Sequence, residues 1–98
     1  MYVVVRTDLS LPQQLVQAAH AAHEAGLRAE PGAEPSSLIA LQVPDKSALE
    51  AAYERYSTKV ACVPFYEPDD NQGLTAFATL PVDPEQRKYF SNLKLWRP

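Results

Sequence analysis

Strand-like and helix-like segments alternate over the first half of the chain, and this alternation constrains the fold more than any other feature. Segments 2–7 and 37–43 are aliphatic and rich in β-branched residues, so they predict strands. A helix-start signal follows each of them, at Ser10 and at Asp45. Because strand–helix–strand units close by crossover connections, the pattern predicts a mixed sheet with helices on its faces.

The second half of the chain predicts two further strands and a short last helix. The strands cover 59–66 and 74–80, and Pro64 confines the first of them to a sheet edge or a bulge. Asp83 and Pro84 then start a helix. The predicted order is β-α-β-α-β-β-α, an α/β fold of three layers, α/β/α, around a four-stranded mixed sheet. A ferredoxin-like β-α-β-β-α-β order is the nearest rival, but it has no helix between its second and third strands.

The first predicted helix has two chemically different faces. Taking about 100° per residue, small and aliphatic side chains share the face expected to pack on the sheet. They are Leu11, Leu15, Ala18, Ala19, Ala22 and Gly26. The opposite, polar face carries Gln13, Gln17, His20 and Glu24. Gln13 also completes a capping box with Ser10. On the second helix, Leu49, Ala52, Tyr53 and Tyr56 form the apolar side.

Size and composition predict one soluble globular domain spanning residues 1–98. With 46% hydrophobic and 21% charged residues, a charge-dominated disordered chain is excluded. Apolar runs are far shorter than the roughly 20 residues of a membrane span, so no membrane association is expected. The absence of a basic leader and the lone Cys62 make a cytoplasmic location the expectation.

Charge is distributed unevenly along the chain. Residues 1–85 hold five basic and all twelve acidic residues, whereas 86–98 hold four basic residues and no acid. These four are Arg87, Lys88, Lys94 and Arg97. Two interpretations remain open: cations that complement a helix C-terminus, or a surface that contacts phosphates.

Several kinds of site are disfavoured by the residues present. No glycine-rich loop follows the first strand, so a nucleotide cofactor is not expected. His20 and His23 have no cysteine pair beside them, and no metal is predicted. Cys62 reads as an inert core residue. We therefore expect no cofactor. The polar candidates that remain each have a structural alternative as caps, strand residues or loop solubilisers.

Three short segments resemble the type 2 peptidyl-tRNA hydrolases. VVRTDL at 4–9 and QAAHAA at 17–22 are similar to the V-V-R-x-D-L strand and the K-x-A-A-Q-x-x-H-A helix of that family. LTAFATLP at 74–81 is similar to its T-V-L-A-I-G-P strand, and the preceding loop takes the place of its D-A-G-x-T segment. The family's helix lysine falls on Gln13, and its loop aspartate falls nearest Glu67, with Asp69 or Asp70 as alternatives.

This resemblance implies hydrolysis, by water, of the ester that joins a peptide or an N-blocked amino acid to tRNA. It implies the catalytic residues Asp8, Gln17, His20, Glu67 and Thr75. His20 or Asp8 would take the proton of water, and Gln17, Thr75 or backbone amides would stabilise the oxyanion. The tRNA would contact Arg6, Gln13, Arg87, Lys88 and Lys94. The family also makes a homodimer an expectation.

Two other functions remain open from the sequence. Loss of the lysine at position 13, together with the acidic body of the chain, also fits a catalytically decayed module that binds RNA or protein. Alternatively, the resemblance extends to the fold alone, and the substrate is another ester or amide.

Overall fold

The computed structural model describes residues 1–32, 37–68 and 71–98, and strands alternate with helices in its first half. In chain order, the elements are β1 (Tyr2–Arg6), α1 (Leu11–Leu27), β2 (Ile39–Val43), α2 (Lys46–Ser57), β3 (Cys62–Glu67), β4 (Gly73–Thr79), a 3₁₀ helix (Pro84–Phe90) and β5 (Lys94–Leu95). Among these residues, no helix is long and apolar enough to cross a membrane.

One mixed sheet joins the strands in the order β3-β4-β1-β2-β5. β1 runs parallel to β2, whereas the pairs β1–β4, β3–β4 and β2–β5 are antiparallel. The predicted α/β class and the mixed sheet are confirmed. The central position of β1 explains why all five of its residues are buried.

The predicted four strands and the order β-α-β-α-β-β-α are wrong, because the chain adds a fifth strand after its last helix. β5 is only two residues long, too short to show the alternation that identifies a strand in a sequence. The tail is held against β2 by bonds from the Trp96 N–H to the Ala40 carbonyl and from the Arg97 N–H to the Gln42 side chain. The helix predicted from Asp83 is a 3₁₀ helix.

Alternate residues of β1 enter two separate cores. Tyr2 and Val4 pack on the α2 side of the sheet, with Leu49, Phe77 and Phe90. Val3 and Val5 pack on the α1 side with small residues from helix and strands: Ala21, Ala25, Ala76 and Ala78. The two helices therefore cover opposite faces, as the crossover pattern predicts.

The helix starts predicted at Ser10 and Asp45 are confirmed, and so is the apolar side of α2. Ser10 and Gln13 form the capping box, and Asp45 accepts from the Ala48 N–H. Leu49, Ala52 and Tyr56 are buried, and Tyr53 is half-buried.

The predicted inward face of α1 is wrong. The helix buries Gln14, Gln17, Ala21 and Ala25, while Leu15 is 71% exposed. Leu11, Val16 and Leu27 are exposed as well. Two conditions make this orientation stable: the alanines allow α1 to approach the small residues of the sheet closely, and both glutamine amides find hydrogen-bond partners.

Pro64 lies in β3, which is an edge strand, as its missing N–H predicts. The pairing of β3 with β4 is irregular between Phe65 and Tyr66, and Thr75 has no cross-strand partner in the register. This irregularity lies at the end of the sheet where β1 also ends.

The orientation of α1 can be tested with one substitution made on each of its faces. We expect Ala21→Leu to lower the free energy of unfolding by about 1–3 kcal/mol, because the position has no room for a larger side chain. Ala19→Leu, on the exposed face, should change it by less than about 0.5 kcal/mol. Urea unfolding measures both; a larger loss for Ala19→Leu would contradict this orientation.

Candidate active site

Three strands bring their polar ends together at one end of the sheet, where β1 stops. β1 ends at Arg6, β4 begins at Gly73, and Glu67 at the end of β3 pairs with Gly73. The Arg6 guanidinium joins these ends by donating to the backbone carbonyls of Gln72 and Leu74, at 2.8 and 3.2 Å. α1 also begins at this end of the sheet, so its first turns face the same region.

A hydrogen-bonded chain connects α1, β3 and β4. The Thr75 hydroxyl donates to Gln17 Oε1 at 2.8 Å, and Gln17 Nε2 donates to Glu67 Oε2 at 3.1 Å. Thr75 is fully buried and Gln17 is nearly so. Because the hydroxyl engages the amide oxygen, the amide nitrogen must face Glu67, and this holds the carboxylate in one orientation.

His20 lies one turn beyond Gln17 on α1 and is exposed to solvent. Its ring is tilted against the ring of Phe65, with 4.6 Å between their centroids. The Phe65 carbonyl lies 3.3 Å from the Thr75 hydroxyl. An accessible imidazole thus lies beside the chain that orients Glu67.

Asp8 is held by Arg6 rather than by the Gln17 chain. Arg6 Nε and Nη2 donate to the two Asp8 oxygens at 2.7 and 2.9 Å. The hydrogen bonds from Arg6, together with its positive charge, lower the pKa of Asp8 from its ordinary value, although burial opposes this. An ionised carboxylate with a lowered pKa is a weak proton acceptor, so Asp8 suits an electrostatic role better than that of general base.

A depression of about 480 Å³ opens beside this network, bordered by Tyr66, Glu67, Pro68, Asn71 and Gly73. The backbone of Gly73 has a positive φ of 68°, which favours glycine. A Cβ on Gly73 would lie 2.9 Å from Lys46 Nζ, so the Lys46 ammonium group is at the border of the depression. None of the described carboxylates forms an ion pair with Lys46.

Lys46 lies next to Gly73, and the polarity pattern of the sequence gives no indication of this position. The helical spacing places Lys46 on the outward, polar face of the second helix. It is, however, the first residue of α2, and helical side chains tilt toward the helix N-terminus. This tilt directs the amine back to the end of the sheet where the depression lies. Its position after the helix cap Asp45 is the signal that could have identified it.

The basic tail does not form one surface at this site. The 3₁₀ helix that carries Arg87 packs near the start of β1, where the ring of Phe90 stacks on that of Tyr2 with 4.2 Å between centroids. Burial, and then the positive charge of Arg87, lowers the pKa of the Met1 ammonium at this end of the strand. Lys88, close behind Arg87, lies near the Tyr89 ring. Lys94 pairs with Gln42 on β2, near the end where β2 stops. Of these predicted RNA contacts, Lys94 is the one nearest to the β1 carboxyl end.

The other two predicted RNA contacts are held by intramolecular bonds. Arg6 is 9% exposed, and three of its nitrogens donate within the chain. Gln13 is exposed, but its Oε1 accepts from the backbone N–H and the hydroxyl of Ser10. Both therefore fix the local structure between β1 and α1.

Asp69 and Asp70, the alternatives to Glu67, lie outside the described residues. Among those described, no group of histidine, cysteine and carboxylate side chains could hold a metal ion. Burial raises the pKa of the Cys62 thiol to about 11, so this cysteine is a poor nucleophile near neutral pH.

Comparison of the chain with protein-family models gives no match, and comparison with curated protein sequences gives none either. The resemblance to the type 2 peptidyl-tRNA hydrolases therefore rests on the three short segments themselves.

The contribution of the buried Thr75 hydroxyl to stability can be tested by removing the hydroxyl. We expect Thr75→Val to lower the free energy of unfolding by about 1–3 kcal/mol, because Gln17 Oε1 loses its donor. Thr75→Ser retains the hydroxyl and should cost less, about 1 kcal/mol for the lost methyl group. Thermal or urea unfolding compares the two; a valine variant as stable as the serine variant would show that the bond contributes little.

The pair of Asp8 and Arg6 predicts a pH-dependent difference in stability. Asp8→Asn should lower the free energy of unfolding at pH 7 by about 1 kcal/mol, a modest value because Asp8 is partly exposed. Since the folded pKa is lowered, the ionised pair stabilises above the unfolded pKa of about 3.9 and is lost as pH falls through the folded value. Urea unfolding of both proteins from pH 7 to pH 2.5 should show convergence at low pH; a constant difference would contradict this assignment.

Proposed function

We propose that this protein hydrolyses the ester bond of peptidyl-tRNA or of N-blocked aminoacyl-tRNA, releasing free tRNA, in the cytoplasm. The observation that carries the proposal is the chain from Thr75 through Gln17 to Glu67, with the accessible His20 beside it. These are the residues for which the resemblance implies a catalytic role. They come from three separate elements, and folding brings them together at the end of the sheet where β1 stops.

In the proposed reaction, His20 is the general base. The water oxygen forms a bond to the ester carbonyl carbon, and its proton passes to the imidazole. The tetrahedral intermediate then collapses, the bond to the ribose oxygen breaks, and the imidazolium returns the proton to that oxygen. Glu67, oriented by Gln17, favours the transient imidazolium electrostatically. Asp8 is a weaker candidate for the base, because Arg6 keeps it ionised.

Lys46 supplies the positive charge that the substitution at position 13 removes. Gln13 cannot provide a cation, whereas the Lys46 ammonium borders the depression from α2. Thr75 and Gln17 are buried and hydrogen-bonded to each other, so they position Glu67 rather than contact an oxyanion. An ammonium group at this border can offset the negative charge of the oxyanion or of a nearby phosphate.

The alternative is a decayed member of the same fold that binds RNA or protein without turnover. The capping bonds of Gln13 favour it, since they commit this position to local structure. The two functions differ in one measurable respect: the binding module retains tRNA and leaves its ester intact.

The test is hydrolysis of N-acetyl-aminoacyl-tRNA by the purified chain, with filter binding of the same RNA. We expect His20→Ala to lower kcat by about 10²–10⁴-fold. Lys46→Gln should lower kcat/KM strongly, whereas the matched control Lys59→Gln, which lies over the Tyr89 ring, should not.

Each result decides between the two functions. Turnover that falls with His20→Ala supports the hydrolase. Binding without turnover, restored to activity by Gln13→Lys, supports the decayed module. If the wild type neither binds nor cleaves this RNA, the tRNA substrate is wrong. Binding that is unchanged between low and moderate salt would contradict contacts between the RNA phosphates and the predicted basic residues.

A further inference from the structure

A groove of about 540 Å³ lies beside α2. Its apolar wall comes from small and aliphatic side chains: Val43, Ala48, Ala51, Ala52 and Leu93. Arg55, Asn92 and Lys94 also line it. None of its lining residues belongs to the proposed catalytic set, so the groove requires a separate explanation.

The connections of the sheet give this groove a favourable position. β1 and β2 are adjacent and parallel, and the helices that follow them pack on opposite faces. In open α/β sheets, ligands bind outside the carboxyl ends of strands at such a switch point. Thr7, Val43 and Pro44 follow or end these two strands, and all three line the groove.

The charge of the groove is opposite to that of the whole chain. The protein carries a net charge of −3, yet no acidic side chain is among the described residues that line the groove, whereas Arg55 and Lys94 both do. No described carboxylate pairs with either cation. Arg55 lies 5.7 Å from the Tyr56 ring centroid, which restricts its position. Two unneutralised cations at one groove select an anionic ligand.

The volume and the lining of the groove limit which anionic ligands fit it. Its volume far exceeds that of a bare inorganic anion and lies within the range of about 300–1,000 Å³ typical of organic ligands. Alanines at positions 48, 51 and 52 give this side of α2 a surface of small apolar side chains, against which a planar ring can pack. Two cations match a phosphate monoester, which carries about −1.5 to −2 charges at pH 7.

We propose that this groove binds a nucleoside phosphate, with the phosphate at Arg55 and Lys94 and the base against the alanines of α2. Asn92 and Gln42 carry side-chain amides that can bond the base or the ribose. The same chemistry is available from a free mononucleotide and from one nucleotide of an RNA strand. The proposal does not depend on ester hydrolysis, because the site shares no residue with the catalytic set.

Titration of the ¹⁵N-labelled full chain, followed by NMR, tests the proposal. The probes are AMP, adenosine, inorganic phosphate and the tetraribonucleotide of adenosine. We expect AMP to shift the side-chain amide signals of Asn92 and Gln42, and to bind more tightly than adenosine or phosphate. Arg55→Gln and Lys94→Gln should each raise the Kd for AMP by about tenfold. Lys59→Gln, an exposed lysine outside the groove, is the matched control.

A second variant tests the groove itself. Ala51→Glu places a carboxylate at an exposed helical position, where folding is not threatened, and it should abolish AMP binding. Tighter binding of the tetranucleotide than of AMP identifies RNA as the source, and the reverse identifies a free nucleotide. The proposal is overturned if AMP shifts no groove signal, if phosphate binds as tightly as AMP, or if Lys59→Gln weakens binding as much as Lys94→Gln.

Discussion

The buried amides of Gln14 and Gln17 determine how α1 sits on the sheet, and much of the remaining structure depends on their hydrogen bonds. Gln14 donates to the carbonyls of Thr7 and Leu9 and accepts from the Trp96 indole. Gln17 connects Glu67 with Thr75. Turning α1 to bury its leucines would leave several polar groups without partners, each at a cost of about 1–3 kcal/mol. The exposed leucines are the consequence.

These hydrogen bonds also explain which parts of the fold the sequence predicts. Helix caps and buried aliphatic segments are local signals, and they locate the helix starts and four of the five strands, but not β5. The rotation of α1 is not local, because it depends on partners up to 82 residues away, such as Trp96. A helical wheel ranks side chains by polarity and cannot tell which amides will be satisfied. For the same reason, it treats Gln17 as a surface residue.

For the candidate site, the sequence predicts which residues take part but not how they are connected. Gln17, Glu67 and Thr75 form one connected chain, and His20 lies beside it at Phe65. The resemblance names these residues but says nothing of how they are connected. The position of the Lys46 ammonium beside Gly73 depends on the tilt of first-turn side chains, which is a property of the folded helix. The charge of the tail is visible in the sequence, but its division between two ends of the sheet is not.

Pro64 has an effect on how copies of this protein can associate. An edge strand with free N–H groups can pair with a strand of another chain and start aggregation. β3 has a proline in its middle and an irregularity beyond it, while the outer edge of β2 is covered by β5 and by the bond from Arg97. Growth of the sheet from molecule to molecule is thus impeded at both sides. The exposed Leu11, Leu15 and Leu27 of α1 offer a surface for association that does not require pairing of strands between copies.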